Sequence, residues 1–343
     1  MYQYFRPGKI WYDNNGKRIQ AHGGCIMYTQ GKFWWYGENK EGITGSATGE
    51  NCKFWHHGVK LYSSDDLYNW TDEGFAVQES DDPNNPFFPQ NIMDRPHILF
   101  NKKTGNYVLW AKTAHQMDFG ACSFSICIGK TLKNMQFVKE VIPTPHHAGD
   151  FDLFEYAGKA YIVYENPHSE LVIRELSDDY TDVTPLYSTH FHAPCPPFVR
   201  EAPAVFQHNG RVYMLTSGTT GYYPNATELA DITDIHGEWK NLGKVCRKDR
   251  KDNSFHSQFS SVFQHPTKKD AYIALGDRWL NDLTEDLPDM GEIFYKMCGP
   301  NPQAVDLSGL SDENTSIATY VWLQIQFEDD GTPYLEWQRA WQI

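Results

Sequence analysis

Residues 200–218, with the sequence REAPAVFQHNGRVYMLTSG, predict a β-hairpin. An apolar run is followed by the turn formers His-Asn-Gly and then by a second run rich in β-branched and aromatic residues. This order is typical of two antiparallel strands joined by a tight turn. A carboxylate, Glu201, stands at the start of the first strand. The hairpin decides the fold because the rest of the chain repeats it.

Four further segments repeat the pattern of strand, turn and strand: residues 24–37, 95–110, 152–164 and 262–275. The aromatic residue that follows each turn recurs at intervals of 73, 54, 52 and 59 residues. Periods of this length, each with several strands, are typical of propeller blades, in which four-stranded sheets surround a central channel. Polar turns suited to join the third and fourth strands of a blade lie at 62–70, 129–135, 176–180 and 232–239. The sequence therefore predicts an all-β fold, a five-bladed β-propeller.

The repeats favour a single domain over residues 1–343, in which residues 1–18 form a lead-in segment that helps to close the ring. The expected blades cover residues 19–77, 92–140, 147–190, 198–245 and 255–343. Within the last blade, residues 281–315 are acidic and are expected to be irregular.

Aligning the five hairpins by their turns places one polar or ionisable residue at the same offset in each: His22, Asp94, Asp150, Glu201 and Gln258. Because side chains alternate between the faces of a strand, a shared offset indicates equivalent positions in the blades. The innermost strand of every blade starts at the same end of the channel, so we expect these side chains to converge on one pocket. Glu38 and Lys40 follow another strand, where they either form an exposed ion pair or reach the mouth of the channel.

The bulk composition excludes several classes of partner. A net charge of −14 argues against nucleic acid and anionic membranes, which select basic patches. No apolar run reaches the roughly twenty residues of a membrane helix, and the N-terminus carries no secretory signal pattern. The seven cysteines are scattered without a Cys-x-x-Cys pair, which favours reduced thiols. We therefore expect a cytoplasmic protein, or a secreted or periplasmic one if a signal has been removed; the oligomeric state is left open.

The acids of the expected pocket suit glycoside hydrolysis. That reaction needs one carboxylic acid to protonate the leaving oxygen and a second group to activate water or to attack carbon. Glu201 with Asp150 or Asp94 supplies such a pair, and like charges brought together raise one another's pKa, which keeps one carboxyl protonated. The structural alternative is that Asp94 pairs with Arg95 and that Glu201 pairs with Arg200. Three acids at one offset favour catalysis over this alternative.

Several motifs also resemble glycoside hydrolase family 43, a family of five-bladed propellers. The hairpins, the Ser-Asp-Asp-Leu-x-x-Trp turn at 64–70 and the Arg-Glu-Ala-Pro sequence at 200–203 carry this likeness. More specific motifs are similar to the exo-β-1,3-galactanase branch, and the match spans nearly the whole chain. These motifs lie at residues 20–24, 35–40, 217–225, 257–258 and 276–279.

The resemblance implies that Glu201 is the general acid, that Asp150 tunes it and that Gln258 takes the role of base. The broader family places its base, an aspartate, on the first blade, whereas residues 21–23 of this chain hold no acid. The galactanase branch shares that loss. Contacts with the substrate are expected at five further residues: Asp94, His22, Glu38, Asn166 and Thr220. Asp94 stands where the branch has a glutamate, and its shorter side chain would change which sugar hydroxyl it holds.

The predicted function is an inverting exo-glycoside hydrolase that releases galactose from β-1,3-linked galactan or galacto-oligosaccharides. One alternative is an α-L-arabinofuranosidase or β-galactofuranosidase on the same propeller. Another is a non-catalytic carbohydrate-binding propeller, because the first blade lacks the aspartate. The expected partner is a carbohydrate, either a galacto-oligosaccharide or an arabinogalactan side chain. No cofactor is required and no metal-ligand pattern is diagnostic; a structural calcium ion in the central channel, which family members sometimes carry, is left open.

Overall fold

The computed structural model describes residues 1–42, 44, 54–115, 118–284, 287–307 and 309–343. The strands of these residues form five sheets that follow one another along the chain. In each sheet consecutive strands pair antiparallel, and the first strand of each sheet contacts the first strands of its neighbours around a central channel. This arrangement confirms the predicted five-bladed β-propeller.

The strands of the five blades have these bounds, given from the channel outwards. Blade one holds β1 (His22–Thr29), β2 (Lys32–Glu38), β3 (Val59–Ser64) and β4 (Thr71–Val77). Blade two holds β5 (Ile92–Asn101), β6 (Asn106–Ala114), β7 (Ser123–Gly129) and β8 (Gln136–Val141). Blade three holds β9 (Phe151–Tyr156), β10 (Lys159–Asn166), β11 (Glu170–Leu176) and β12 (Val183–His190). Blade four holds β13 (Arg200–His208), β14 (Arg211–Gly218), β15 (Glu228–Asp231) and β16 (Lys240–Lys244). Blade five holds β18 (Gln258–Gln264), β19 (Tyr272–Arg278), β20 (Thr319–Phe327) and β21 (Pro333–Glu336), with the short β17 (Cys246–Arg247) parallel to β21.

The predicted polar turns lie where the repeat places them. Each joins the third strand of a blade to the fourth, as β3 is joined to β4 by the turn that ends at Trp70. Trp70 is fully buried, and its indole N–H donates to the carbonyl of Leu67 at 3.1 Å. The apolar anchor of this turn therefore packs into the blade while the acidic residues before it stay at the surface.

Apolar side chains fill the space between neighbouring blades. Separate clusters of buried residues join each adjacent pair of blades around the ring. Each cluster contains a fully or almost fully buried residue: Trp35 between blades five and one, Leu109 between one and two, Phe151 between two and three, Met214 between three and four, and Leu323 between four and five. Burial of apolar surface on both faces of each sheet holds the ring together. The channel itself is left to polar side chains.

The N-terminal segment contacts both the first and the last blade. Phe5 pairs with Trp341 in an isolated β-bridge, and its amide donates to the carbonyl of Trp341 at 2.9 Å. The Phe5 ring also lies 5.8 Å from the ring of Trp322 in blade five and 4.7 Å from that of Tyr68 in blade one. The segment thus bridges the first and last blades.

The expectation that residues 281–315 are irregular is wrong for the middle of this segment. Residues 285, 286 and 308 lie outside the described residues. Helix α1 spans Met290–Cys298, and a short 3₁₀ turn follows at Thr315–Ile317. The Asp289 side chain caps α1 by accepting from the amide of Glu292 at 3.1 Å, and Lys296 pairs with Glu292 one turn later. The Asp-x-x-Glu spacing at 289–292 is the sequence signal for this helix start. A second 3₁₀ turn lies at Phe119–Ala121, and no helix among the described residues is long and apolar enough to cross a bilayer.

Candidate active site

A cavity of about 420 Å³ opens at the end of the channel where the innermost strands begin. This volume lies within the range of small-molecule sites. Ionisable and amide side chains from all five blades line it: Glu38, Asp94, Arg95, Lys112, Asp150, Glu165, Glu201 and Gln258. Four of the five residues that the hairpin alignment selected, namely Asp94, Asp150, Glu201 and Gln258, are among them.

A bulge in the innermost strand aims several of these side chains. The β-ladder is interrupted directly after Asp94 in β5 and directly after Glu201 in β13. The next residues, Arg95 and Ala202, have left-handed backbones with φ of 51° and 50°. Non-glycine residues adopt this conformation rarely, and such strain is concentrated at functional sites. A bulge re-aims the adjacent side chain, so the repeated bulge places equivalent residues of different blades in one cavity.

Glu201 is the carboxyl whose environment most favours the protonated form. Burial raises its pKa well above the ordinary value, and the negative charges of Asp150 and Glu165 raise it further. Its Oε1 accepts a hydrogen bond from Gln258 Nε2 at 3.1 Å. A carboxyl whose pKa is raised in this way keeps its proton to higher pH and can act as an acid.

Asp150 has the opposite character. Burial alone would raise its pKa, but the charges and hydrogen bonds of Arg95 and Lys112 outweigh burial and hold the pKa at about 2. Arg95 Nε lies 2.9 Å from Asp150 Oδ2, and Lys112 Nζ lies 3.2 Å from Oδ1. Asp150 is therefore ionised at neutral pH, and its negative charge is one cause of the raised pKa of Glu201.

Gln258 links the acid to the rest of the site. Its side-chain oxygen accepts from Arg95 Nη2 at 2.6 Å and from Trp279 Nε1 at 3.1 Å. Both of these groups can only donate, so the amide nitrogen must be the atom that faces Glu201 Oε1 and Ser217 Oγ. The oxygen of Gln258 is thus engaged by two donors in this arrangement.

A strained turn leads into Gln258. Ser254, Phe255 and His256 have consecutive φ values of 55°, 57° and 62°, a left-handed turn that costs roughly 1–2 kcal/mol per residue. Arg278 clamps the turn, because its Nη2 donates to the Phe255 carbonyl at 3.0 Å and its Nε to the His256 carbonyl at 3.1 Å. These contacts fix the backbone at the start of β18 and hence the direction of Gln258.

Glu38 and Asp94 complete the acidic lining. The expected ion pair of Glu38 with Lys40 exists at 3.0 Å, but both side chains are almost completely buried and Glu38 faces the cavity, so the exposed alternative is wrong. Burial raises the pKa of Glu38 to about 7; the positive charge of Lys40 lowers this pKa and the negative charge of Asp94 raises it. Asp94 accepts from Trp55 Nε1 at 2.5 Å and pairs with Lys112 at 3.0 Å.

Three residues expected at the site lie elsewhere. His22 is fully buried behind the cavity, where its Nδ1 lies 2.7 Å from Asp277 Oδ1 and its ring stacks on Tyr320. Its place in the lining is taken by Glu38, the partner of His22 in the β1–β2 ladder, because Gly23 leaves room: a Cβ at Gly23 would stand 2.4 Å from Glu38 Oε1.

Asn166 and Thr220 stabilise local backbone instead of lining the cavity. Asn166 Oδ1 accepts from the amide of His147 at 3.1 Å, and its Nδ2 donates to Ser169 Oγ at 3.0 Å. Thr220 is fully buried, and its Oγ1 donates to the carbonyl of Tyr223 at 2.6 Å. The neighbours of Thr220, Thr219 and Gly221, line the cavity in its place.

Several lining residues were not singled out from the sequence. Arg95 pairs with Asp150, and Lys112 pairs with Asp94. The pairs that the structural alternative supposed, Asp94 with Arg95 and Glu201 with Arg200, are not the ones that form. Arg200 pairs with Glu228 instead. The signal for Lys112 is its place directly across the β5–β6 ladder from Asp94. The aromatic side chains of the lining are Trp55, Tyr222, Tyr223, Trp279 and Phe294.

The lining does not fit a calcium ion. Within the described parts of the chain, no group of three or more His, Cys, Asp or Glu side chains is arranged to hold a metal. Calcium needs six to eight oxygen ligands, whereas Asp94 and Asp150 converge on the ammonium group of Lys112. A protein cation therefore takes the place that a metal would need.

The sequence matches the family model of glycosyl hydrolases family 43 over residues 46–285, well over half of the chain. The chain belongs to glycoside hydrolase family 43. Membership makes it a glycoside hydrolase with a carbohydrate substrate, and it argues against the alternative of a non-catalytic binding propeller.

Solved structures of family 43 members share the fold. The GH43 β-1,3-galactosidase BT0265 is 25% identical with a TM-score of 0.81, and the match covers 100% of this chain but only 64% of that one. The GH43 β-1,3-galactosidase BT3683, solved with galactodeoxynojirimycin, is 26% identical with a TM-score of 0.79, covering 99% of this chain and 100% of that one. An exo-β-1,3-galactanase from Phanerochaete chrysosporium, solved with β-1,3-galactotriose, has a TM-score of 0.78 at 21% identity, which shows the fold alone; the match covers 99% of this chain and 68% of that one. No curated protein sequence matches the chain.

Proposed function

We propose that this family 43 enzyme is an inverting exo-glycosidase that releases galactose from β-1,3-linked galactan or galacto-oligosaccharides, with Glu201 as the general acid. The observation that carries the proposal is a pair of carboxyls in one cavity whose pKa values are shifted in opposite directions: burial raises the pKa of Glu201, whereas Arg95 and Lys112 hold the pKa of Asp150 at about 2. The choice of galactose is supported by the likeness to the two β-1,3-galactosidases.

The proton of the acid has a defined position. Because Gln258 Nε2 donates to Glu201 Oε1, we place the carboxyl proton on the other oxygen, Oε2. In the proposed reaction Oε2 gives its proton to the glycosidic oxygen while the bond from that oxygen to the anomeric carbon breaks. A water molecule attacks the opposite face of the sugar and loses a proton, which gives inversion. For Gln258 to take up that proton as the base, Arg95 or Trp279 has to give up its hydrogen bond to the side-chain oxygen of Gln258 when the substrate binds.

The cavity offers polar and apolar contacts for one sugar ring. Arg95 Nη1 is buried without a hydrogen-bond partner among the described residues, which leaves a donor for a sugar hydroxyl. The carboxylates of Asp94 and Glu38 supply acceptors, and the ring of Trp279 lines the cavity beside them. Unsatisfied buried donors are costly and mark places where a ligand makes the missing hydrogen bond.

Replacing Asp150 with asparagine tests how the acid is tuned. Loss of the negative charge beside Glu201, with Arg95 and Lys112 then uncompensated, lowers the pKa of Glu201. Since Glu201 acts while protonated, the alkaline limb of the profile of kcat/KM against pH is expected to move to lower pH, by roughly one unit or more. The profile is measured on β-1,3-galactobiose for both enzymes. An alkaline limb that stays in place, or moves to higher pH, would contradict the roles given to the two carboxyls.

A further inference from the structure

The cavity has two unlike halves. The half at the strand starts is polar and holds the carboxyls, Arg95 and Lys112. The other half is largely apolar, and its side chains come mostly from the segment between β19 and β20 and from the loop after β14: Tyr223, Phe294, Met297 and Leu307, with Glu313 accepting from the Tyr223 hydroxyl at 3.4 Å. The proposed catalytic chemistry uses the polar half alone.

Helix α1, which carries Phe294 and Met297, is held firmly in place. Its first residue, Met290, is buried in a small apolar cluster with Trp279, Leu280 and Ala318, so the inserted segment has its own core. The opposite side of the helix rests on the chain before β13, where the rings of Tyr295 and Phe198 lie 5.6 Å apart. The apolar wall is therefore a fixed part of the cavity.

The wall packs against the stretch of chain that leads into the strand of the acid. Phe198 lies three residues before Glu201 on the same stretch of chain, so α1 packs beside the strand that carries the acid. Phe294 faces the loop after β14: its ring lies 6.4 Å from that of Tyr223, and its Cζ would stand 3.9 Å from a Cβ on Gly221. An acid protonates the oxygen of the leaving group, so the group that departs lies nearest to the acid.

Resting on the proposed function, we propose that Phe294 and Met297 of α1 form the subsite for the leaving group and bind a sugar there through its C–H face. A pyranose presents such an apolar face to an aromatic ring such as that of Phe294. The subsite selects substrates by the sugar on the leaving side of the scissile bond, whereas the polar half selects the sugar that is released.

Phe294→Ala tests this subsite with two substrates that share the galactosyl group and differ only in the group that leaves. On β-1,3-galactobiose, kcat/KM is expected to fall about tenfold, as for loss of one aromatic contact. On β-galactosyl fluoride, whose leaving group is too small to reach α1, kcat/KM is expected to stay within about twofold of the wild type. Met297→Ala is expected to show the same selectivity with a smaller fall.

Lys296→Ala is the matched control, because Lys296 lies two residues after Phe294 on α1 but is exposed and absent from the cavity lining. It is expected to leave both substrates unaffected. An equal fall on both substrates in Phe294→Ala, or no fall on galactobiose, overturns the subsite while leaving the proposed function intact. Failure of the wild type to turn over either galactoside overturns the proposed function and the subsite with it.

Discussion

Replacing Glu201 with glutamine is expected to lower kcat on β-1,3-galactobiose by about a thousandfold, within the range typical of general acid catalysis. The amide has nearly the same shape as the protonated carboxyl and keeps an oxygen for the Gln258 hydrogen bond, but it has no acidic proton to give. A leaving sugar alkoxide is a poor leaving group without that proton. The measurement is steady-state release of galactose by the purified variant.

A second substrate separates loss of the acid from loss of the fold. Fluoride departs with little help from an acid, so Glu201→Gln is expected to lose far less activity on β-galactosyl fluoride than on galactobiose. Galactose binding, measured by calorimetry, is expected to stay within a few fold of the wild type. Equal losses on the two substrates would show that Glu201 does not protonate the leaving group.

Replacing Lys112 with methionine is expected to reduce the free energy of unfolding by about 3 kcal/mol. Lys112 Nζ lies 3.0 Å from Asp94 Oδ2 and 3.2 Å from Asp150 Oδ1, with only 13% of its side chain exposed. Without Lys112, the buried carboxylate of Asp94 loses its cationic partner and that of Asp150 keeps only Arg95, in a low-dielectric site. Urea unfolding monitored by tryptophan fluorescence at neutral pH measures the loss.

The pH dependence of that loss gives an internal check. The folded-state pKa of Asp150, about 2, lies below the ordinary value of 3.8, so its pairing stabilises the fold above the ordinary pKa and ceases to do so as pH falls toward 2. The difference in the free energy of unfolding between the variant and the wild type is therefore expected to be largest at neutral pH and to decrease below about pH 4. Lys103→Met, which removes an exposed pair with Asp178, is expected to change stability little at any pH. A Lys112→Met variant as stable as this control would contradict the buried network.

The ring was predictable from sequence because each blade repeats the same local sequence pattern of strand, turn and strand. Turn formers such as Asn209-Gly210 end one strand and start the next, and the β-branched and aromatic runs around them pack between blades. The equivalent offset then located four of the five selected residues in the cavity, since strand alternation is strict. Local pattern and global fold agree along most of this chain.

The parts that escaped prediction depend on backbone detail that no periodicity encodes. His22 has the same offset as Glu201 but not the same surroundings, because Gly23 lets Glu38 enter the space instead. Arg95 bridges three blades only because its left-handed backbone turns it across the channel. Helix α1 is the exception: the apolar residues of Met290–Cys298 recur at i, i+3, i+4, i+7 and i+8, which is helical spacing, so the sequence carried a signal for this helix over its nine residues.

The most direct test of inversion with Glu201 as the acid measures the anomer of galactose that is released first. Proton NMR of the wild-type enzyme with β-1,3-galactobiose resolves the α and β anomers before mutarotation mixes them. We predict that α-galactose appears first and that Glu201→Gln abolishes its release. Initial release of β-galactose would contradict inversion, and turnover of an aryl α-L-arabinofuranoside in place of galactobiose would contradict the galactosidase assignment.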